Sequence, residues 1–171
     1  MVVRWVGVLA AAAAGFSASE AAAPQRLSFN CDAVPGEVSA MDQDHLAMAR
    51  TISGNLRAVE ARQDNNLQPA ATVRLASRKD FVALQMAPTE PGSNRFVVFV
   101  RNGDAKEEER TVLGEVPLNQ TMAFSLAQSG KDVTVTAAGQ TVSVRQSFRG
   151  PPSVAITCST GHFLFDDVAV Q

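Results

Sequence analysis

The chain has 171 residues, of which 46% are hydrophobic and 19% charged, with 15 basic side chains against 17 acidic ones and a net charge of −2. Near-neutrality argues against nucleic acid or an anionic membrane surface as a partner, since both recruit proteins through a concentrated excess of positive charge. The length suits one domain, which at this size buries roughly two-thirds of its unfolded surface.

Residues 1–22 read as a secretory signal peptide. Arg4 precedes an apolar run from Trp5 to Phe16, and the small residues Ser17, Ala18, Ser19 and Ala21 to Ala23 offer cleavage between Ala18 and Ala23. The competing reading, an Ala-rich helix of the domain, lacks a polar face to set against water. The run is shorter than the roughly 20 residues that cross a bilayer, and no later stretch is longer, so no membrane span is expected. Removal of Arg4 and Glu20 leaves 14 basic against 16 acidic residues, again −2. Residues 24–171, opened by Pro24, are expected to form a single exported domain, periplasmic or extracellular. In that setting Cys31 and Cys158 are expected to pair, with free buried thiols as the alternative; neither has the neighbouring ligands of a zinc site.

From Leu27 onward apolar residues recur at every second position in short runs, the period of half-buried strands. Strands are predicted at Arg26 to Cys31, Leu56 to Arg62, Ala71 to Ala76, Phe81 to Met86, Arg95 to Arg101, Thr111 to Val116, Met122 to Leu126, Ser153 to Cys158 and His162 to Val170. Val133 to Arg145 reads as a hairpin turning at Ala138-Gly139. Breaks fall at Asn65-Asn66, Arg78 to Asp80, Pro88 to Asn94, Asn102 to Asp104, Gln128 to Gly130 and Gly150 to Pro152. Met41 to Arg50 is open between a short helix and a loop. Many short strands without alternating helices point to an all-β antiparallel sandwich.

The C-terminal third resembles the end of concanavalin A-like lectin and laminin-G-like jelly rolls. The residues that carry the likeness are the hairpin Val133-Thr-Val-Thr-Ala-Ala-Gly-Gln-Thr-Val142, the Pro-rich loop, Val154-Ala-Ile-Thr-Cys158, a Gly turn at Gly161, and Phe163-Leu-Phe-Asp-Asp-Val-Ala-Val170. The resemblance implies a jelly-roll sandwich whose first and last strands lie side by side, which would let Cys31 meet Cys158. It also implies carbohydrate binding or carbohydrate-active chemistry, a fold-level analogy that specific residues must support.

Those residues favour binding over catalysis. Glycoside cleavage needs two carboxylates about 5 to 10 Å apart, yet Glu60 stands alone on its strand and Glu107 to Glu109 are consecutive, pointing to opposite faces of an extended chain. Asp166 and Asp167 read as turn or edge residues. Lyases of this fold group use Tyr, and the chain has none; His45 and His162 are the only histidines and read as surface residues. The loops Gln63 to Asn66 and Asn102 to Asp104 offer weak oxygen-ligand sets for calcium, and no cofactor or metal is expected. The Lys106 to Arg110 run has mixed signs and reads as a solvated loop or edge rather than a functional patch.

Sugar stacking is also constrained. The one Trp is Trp5 in the leader, and Phe29, Phe81, Phe96, Phe124, Phe163 and Phe165 fall where strand periodicity assigns them to the core. Val73, Leu75, Val82, Leu84, Met86, Phe96, Val98 and Val100 form one side of the middle strands; Glu60, Arg62, Thr72, Arg74, Gln85, Phe99 and Arg101 form the other. This second side is expected either to be an ordinary solvated face or to carry a ligand on Glu60, Arg74, Gln85 and Arg101. Arg forks favour an acidic glycan. The expected function is a non-catalytic exported module that binds a glycan. The alternatives are a polysaccharide-degrading hydrolase or lyase of the same fold, and a structural domain that contacts an envelope protein.

Overall fold

A computed structural model describes residues 26–41, 49–103, 108–150 and 152–171. The signal-peptide assignment, His45 and most of the Met41 to Arg50 segment lie outside the described residues. Ten strands form: β1 (Arg26–Ala40), β2 (Thr51–Ala61), β3 (Ala70–Ser77), β4 (Asp80–Pro88), β5 (Arg95–Gly103), β6 (Glu108–Pro117), β7 (Met122–Ser129), β8 (Asp132–Ala137), β9 (Gln140–Arg145) and β10 (Ser153–Val170). There is no helix among the described residues.

All pairings are antiparallel and run β6-β5-β4-β3-β10-β2-β7-β8-β9, with β1 on the other edge of β10. This path folds into two layers because β10 changes partner along its length. Its residues Ser153 to Ser159 pair with β3, whereas Gly161 to Val170 pair with β2. β1 follows the same corner through a four-residue irregularity between Ala33 and Val38. The result is the sandwich expected from the strand pattern, in a jelly roll with first and last strands adjacent as the resemblance implies.

Two sequence expectations are corrected here. The penultimate and last predicted strands are one strand, and Gly161 is not a turn but a strand residue at the corner. A Cβ on Gly161 would lie 2.7 Å from the Glu60 carbonyl oxygen and 2.9 Å from the Phe163 ring, so only hydrogen fits. The bend is made by Thr160, whose φ of +46° is unusual for a β-branched residue. Its buried hydroxyl accepts the Gly36 N–H at 3.2 Å, and its carbonyl accepts the Arg62 N–H at 3.1 Å.

The inward side of the first layer is the apolar side read from the alternation: Val73, Leu75, Val82, Leu84, Met86, Phe96, Val98 and Val100 are all buried. It packs against Ile52, Leu56, Phe124, Leu126, Val133, Val135, Phe163 and Phe165 of the second layer. Phe96 meets Phe163 edge-on across the interior, with centroids 6.2 Å apart. Each such side chain contributes about 1.5–3 kcal/mol by leaving water. Cys31 and Cys158 form a disulfide, Cα to Cα 6.0 Å, that ties the second-layer part of β1 to the first-layer part of β10. The hairpin turns at Ala138 and Gly139 with φ of +50° and +73°, the pair of positive values that matches strand twist in a two-residue turn.

Candidate functional site

The outward side of the first layer is set by register. Ala155, Arg74, Ala83, Arg101 and Arg110 stand directly opposite one another across β10, β3, β4, β5 and β6. The neighbouring row is Thr157, Thr72, Gln85 and Phe99. Three of the four ligand-binding candidates, Arg74, Gln85 and Arg101, are therefore neighbours on one surface.

Glu60 is elsewhere. It belongs to β2, which pairs with β10 and β7 in the second layer, and its carboxylate accepts Arg62 Nε at 3.1 Å and Nη2 at 2.8 Å. Alternation along a strand assigns a face but not a layer, which is why the sequence grouped Glu60 with the others. His162 and Asp167 are structural in the same layer. His162 Nε2 lies 2.6 Å from Asn30 Oδ1, and Asp167 sits at a bulge of β10 where it accepts Asn55 Nδ2 at 3.5 Å.

Two adjoining depressions mark this surface. A hollow of about 260 Å³ is lined by Thr72, Arg74, Phe81, Ala83, Arg101, Glu108, Ala155 and Thr157. It exists because the residues flanking Arg74 in the row are alanines, which leave its guanidinium laterally open. Beside it runs a groove of about 890 Å³ whose lining includes Gln85, Ala87, Val97, Phe99 and Arg110. The loops 62–69 and 89–94 bound its far end and meet each other, since a Cβ on Gly92 would lie 2.9 Å from Gln63 Nε2. The first loop is held by Ser159 Oγ, which donates to the Gln68 carbonyl at 2.8 Å, and by Asp64, which accepts the N–H groups of Asn66 and Leu67. Arg62 joins this wall to β1 through Asp32 and the Ala33 carbonyl; its hydrogen bonds to Glu60 and then Asp32 raise its pKa further above an already high value.

The three arginines of the row differ in what holds them. Arg101 is engaged: Nε and Nη2 each donate to Glu108 at 2.6 Å, and Nη1 donates to Gln85 Oε1 at 2.9 Å. The hydrogen bond from Arg101 holds the Glu108 carboxyl below the usual carboxylate range, and the same bond raises the Arg101 pKa. Arg74 has no such carboxylate. Burial first, and the like charge of Arg101 second, lower its pKa, and its buried Nε has no hydrogen-bond partner among the described residues. An arginine nevertheless stays protonated, so a cation lines the hollow while its Nε is buried beneath the surface. Arg110 lies over the Phe99 ring, 3.5 Å from its centroid, as Arg74 lies over Phe81 at 4.6 Å.

That stacking corrects one sequence reading and extends another. Phe81 is not a core residue but lies outside, beneath Arg74, since its register partners are Ala76 and Gly103 on the outer side. Arg110, at the end of the run read as a solvated loop or edge, is an exposed residue of the edge strand β6 and belongs to the row. Its signal was available in the strand period from Arg110 to Val112, but only the pairing of β6 with β5 aligns it with Arg101. Both outward phenylalanines are covered by guanidinium groups, so this surface offers a sugar hydrogen-bond donors and positive charge rather than bare aromatic faces. Among the described residues no group of three or more His, Cys, Asp and Glu side chains is arranged to hold a metal ion.

No family model matches the chain, and no curated protein matches it. Solved structures do show similarity. An alginate lyase from an Alteromonas species is 14% identical, with 78% of this chain and 59% of that one covered at a TM-score of 0.45. The carbohydrate-binding module CBM66 from Bacillus subtilis is 12% identical, with 83% and 90% covered and a TM-score of 0.47. A galectin from Caenorhabditis elegans is 10% identical, with 84% and 94% covered and a TM-score of 0.49. The chain spans about 60% of the length of the lyases it matches. Nothing about the family or the ligand of this chain follows from these neighbours.

Proposed function

We propose that the protein is an exported, non-catalytic module that binds an acidic glycan on the outward side of its first layer, through Arg74, Gln85 and Arg101. The observation that carries the reading is Arg74: a cation lining a hollow, with no ion-pair partner among the described residues. A ligand carboxylate or sulfate in the hollow would pair with this cation through a charge-assisted bond, worth about 1.5–3 kcal/mol. The hydroxyls of Thr72 and Thr157 and the amide of Gln85 suit the sugar hydroxyls around such a group. Coverage of Phe81 and Phe99 by arginines supports polar recognition in place of ring stacking.

Export follows from the leader-like first 22 residues and fits a disulfide, which persists in oxidising compartments. Among the described residues no helix is long and apolar enough to cross a membrane. N-terminal sequencing of the exported protein is expected to begin between Ser19 and Pro24.

The site is tested by the double substitution Arg74→Ala and Arg101→Ala. Both side chains are partly exposed, so the expected stability loss is about 1 kcal/mol, chiefly the stacking on Phe81. Binding of an acidic oligosaccharide should fall at least tenfold. Full retention of binding by a folded double variant would move the site elsewhere, and capture of an acidic envelope protein without glycan binding would favour a protein-interaction role.

A further inference from the structure

We propose that this surface carries two separate anion seats, one at Arg74 and one at Arg110, so that its ligand is a chain bearing at least two spaced acidic groups that crosses the strands. The inference rests on the reading of this surface as a glycan site and names the spacing of charge that the site selects.

Three cations share one row, but they are not equivalent. Arg101 in the middle is matched by Glu108 and further fixed by Gln85, so its charge is already neutralised within the protein. Arg74 and Arg110, on either side of it, form no ion pair among the described residues, although Arg110 is near enough to help hold the Glu108 carboxyl low. Each is laid on a phenylalanine ring, which fixes the plane of the guanidinium and leaves its edge donors directed along the surface. Adjacent strands are about 4.8 Å apart, and Arg74 and Arg110 are separated by three such steps, so their backbones stand roughly 14 Å apart. One carboxylate cannot serve both. The two seats open into the two depressions separately, Arg74 into the hollow and Arg110 into the groove.

The direction of the ligand follows from charge. The far end of the groove, toward the loops, carries Asp64 and Glu90. An anionic chain laid along the strands would run into those carboxylates. Laid across the strands, it stays over the row and meets Arg74, the neutral Arg101–Glu108 pair and Arg110 in turn. The pair in the middle sets a spacing requirement, because an acidic group placed directly over it faces Glu108.

The test is calorimetric titration of the disulfide-bonded domain with linear oligouronates of one to four units built from galacturonic, glucuronic and mannuronic acid. With two seats, affinity rises by about tenfold or more at the length where a second carboxylate reaches the second cation, and this gain is the most salt-sensitive part of binding. Arg110→Ala removes the gain, so that the longer oligomers bind the variant no more tightly than the monosaccharide does. Arg110 is exposed, so the variant is expected to fold, with circular dichroism as the check. Arg74→Ala weakens every member of the series. Equal affinity along the series, or a step that survives Arg110→Ala, overturns the two-seat inference while leaving the acidic-glycan reading intact. Absence of binding by every oligouronate removes that reading and this inference with it.

Discussion

Reducing the Cys31–Cys158 disulfide should cost more stability than any single side-chain change in this protein. The two residues are separated by 127 positions. In the loop-entropy relation a closure of that size removes about 16 to 17 cal/mol/K from the unfolded chain, or about 5 kcal/mol at 25 °C. Domains are stable by roughly 5–15 kcal/mol, so the bond supplies a third or more of the total. For about 150 residues the corresponding fall in Tm is roughly 10–20 °C. Reduction isolates this effect, because the buried sulfurs stay in the core, whereas Cys31→Ala with Cys158→Ala adds a packing loss on top of it. The assay is thermal and guanidinium unfolding followed by far-UV circular dichroism. Intrinsic fluorescence will not serve, because the chain has no Tyr and its one Trp, Trp5, belongs to the expected leader. A reduced protein within about 1 kcal/mol of the oxidised one would refute the reasoning: either the corner strands are not crosslinked, or the unfolded chain is already compact.

Gly161→Ala should cost about 1–3 kcal/mol, since the new methyl meets the Glu60 carbonyl at 2.7 Å and the Phe163 ring at 2.9 Å. Gly130→Ala, in open space at φ +62°, should lose only the roughly 1 kcal/mol of the left-handed conformation; equal losses at both sites would show that the corner is looser than described. Binding of a sulfated oligosaccharide should strengthen as pH falls below the ordinary carboxyl value of 4.5. The hydrogen bond from Arg101 depresses the folded-state pKa of Glu108, so their pairing is complete above that value and is lost as pH falls through the depressed one. Arg101 is then released to the ligand, whose sulfates remain charged. Glu108→Gln should bind the same ligand more tightly at neutral pH and show no such acid-side gain; a variant indistinguishable from wild type would mean that Arg101 does not reach the ligand.

The strand pattern was legible because one side of each strand is buried, and alternation at Val73 and Leu75, or at Phe96, Val98 and Val100, records that burial directly. The hairpin at Ala138-Gly139 was legible for the same reason together with its turn residues. The corner was not. Cys158 and Phe163 look like members of two strands because the run Ser159-Thr160-Gly161 carries turn-forming residues, yet those residues bend one strand while its ladder continues on changed partners. The extension of β1 to Ala40 was hidden by Pro35 and Gly36, which mark an irregularity rather than an end. At the candidate site, Arg74, Gln85 and Arg101 were recoverable because consecutive strands pair as consecutive hairpins. Glu60 precedes a change of layer that no local pattern records. Arg110 is obscured by a run of charges, and strand periodicity is read as placing Phe81 in the core, although the alternation that buries Val82, Leu84 and Met86 turns it outward under Arg74.

The most direct measurement is calorimetric titration of the mature, disulfide-bonded domain with one linear oligouronate, and with the same oligomer after its carboxyl groups have been reduced to alcohols. The two ligands share the ring and its secondary hydroxyls and differ at C6, a carboxylate in one and a neutral primary alcohol in the other. Saturable binding of the acidic oligomer, with at least a tenfold loss on carboxyl reduction, is the expected result. Equal affinity for both, or tighter binding of the neutral form, would contradict recognition through Arg74 and its row.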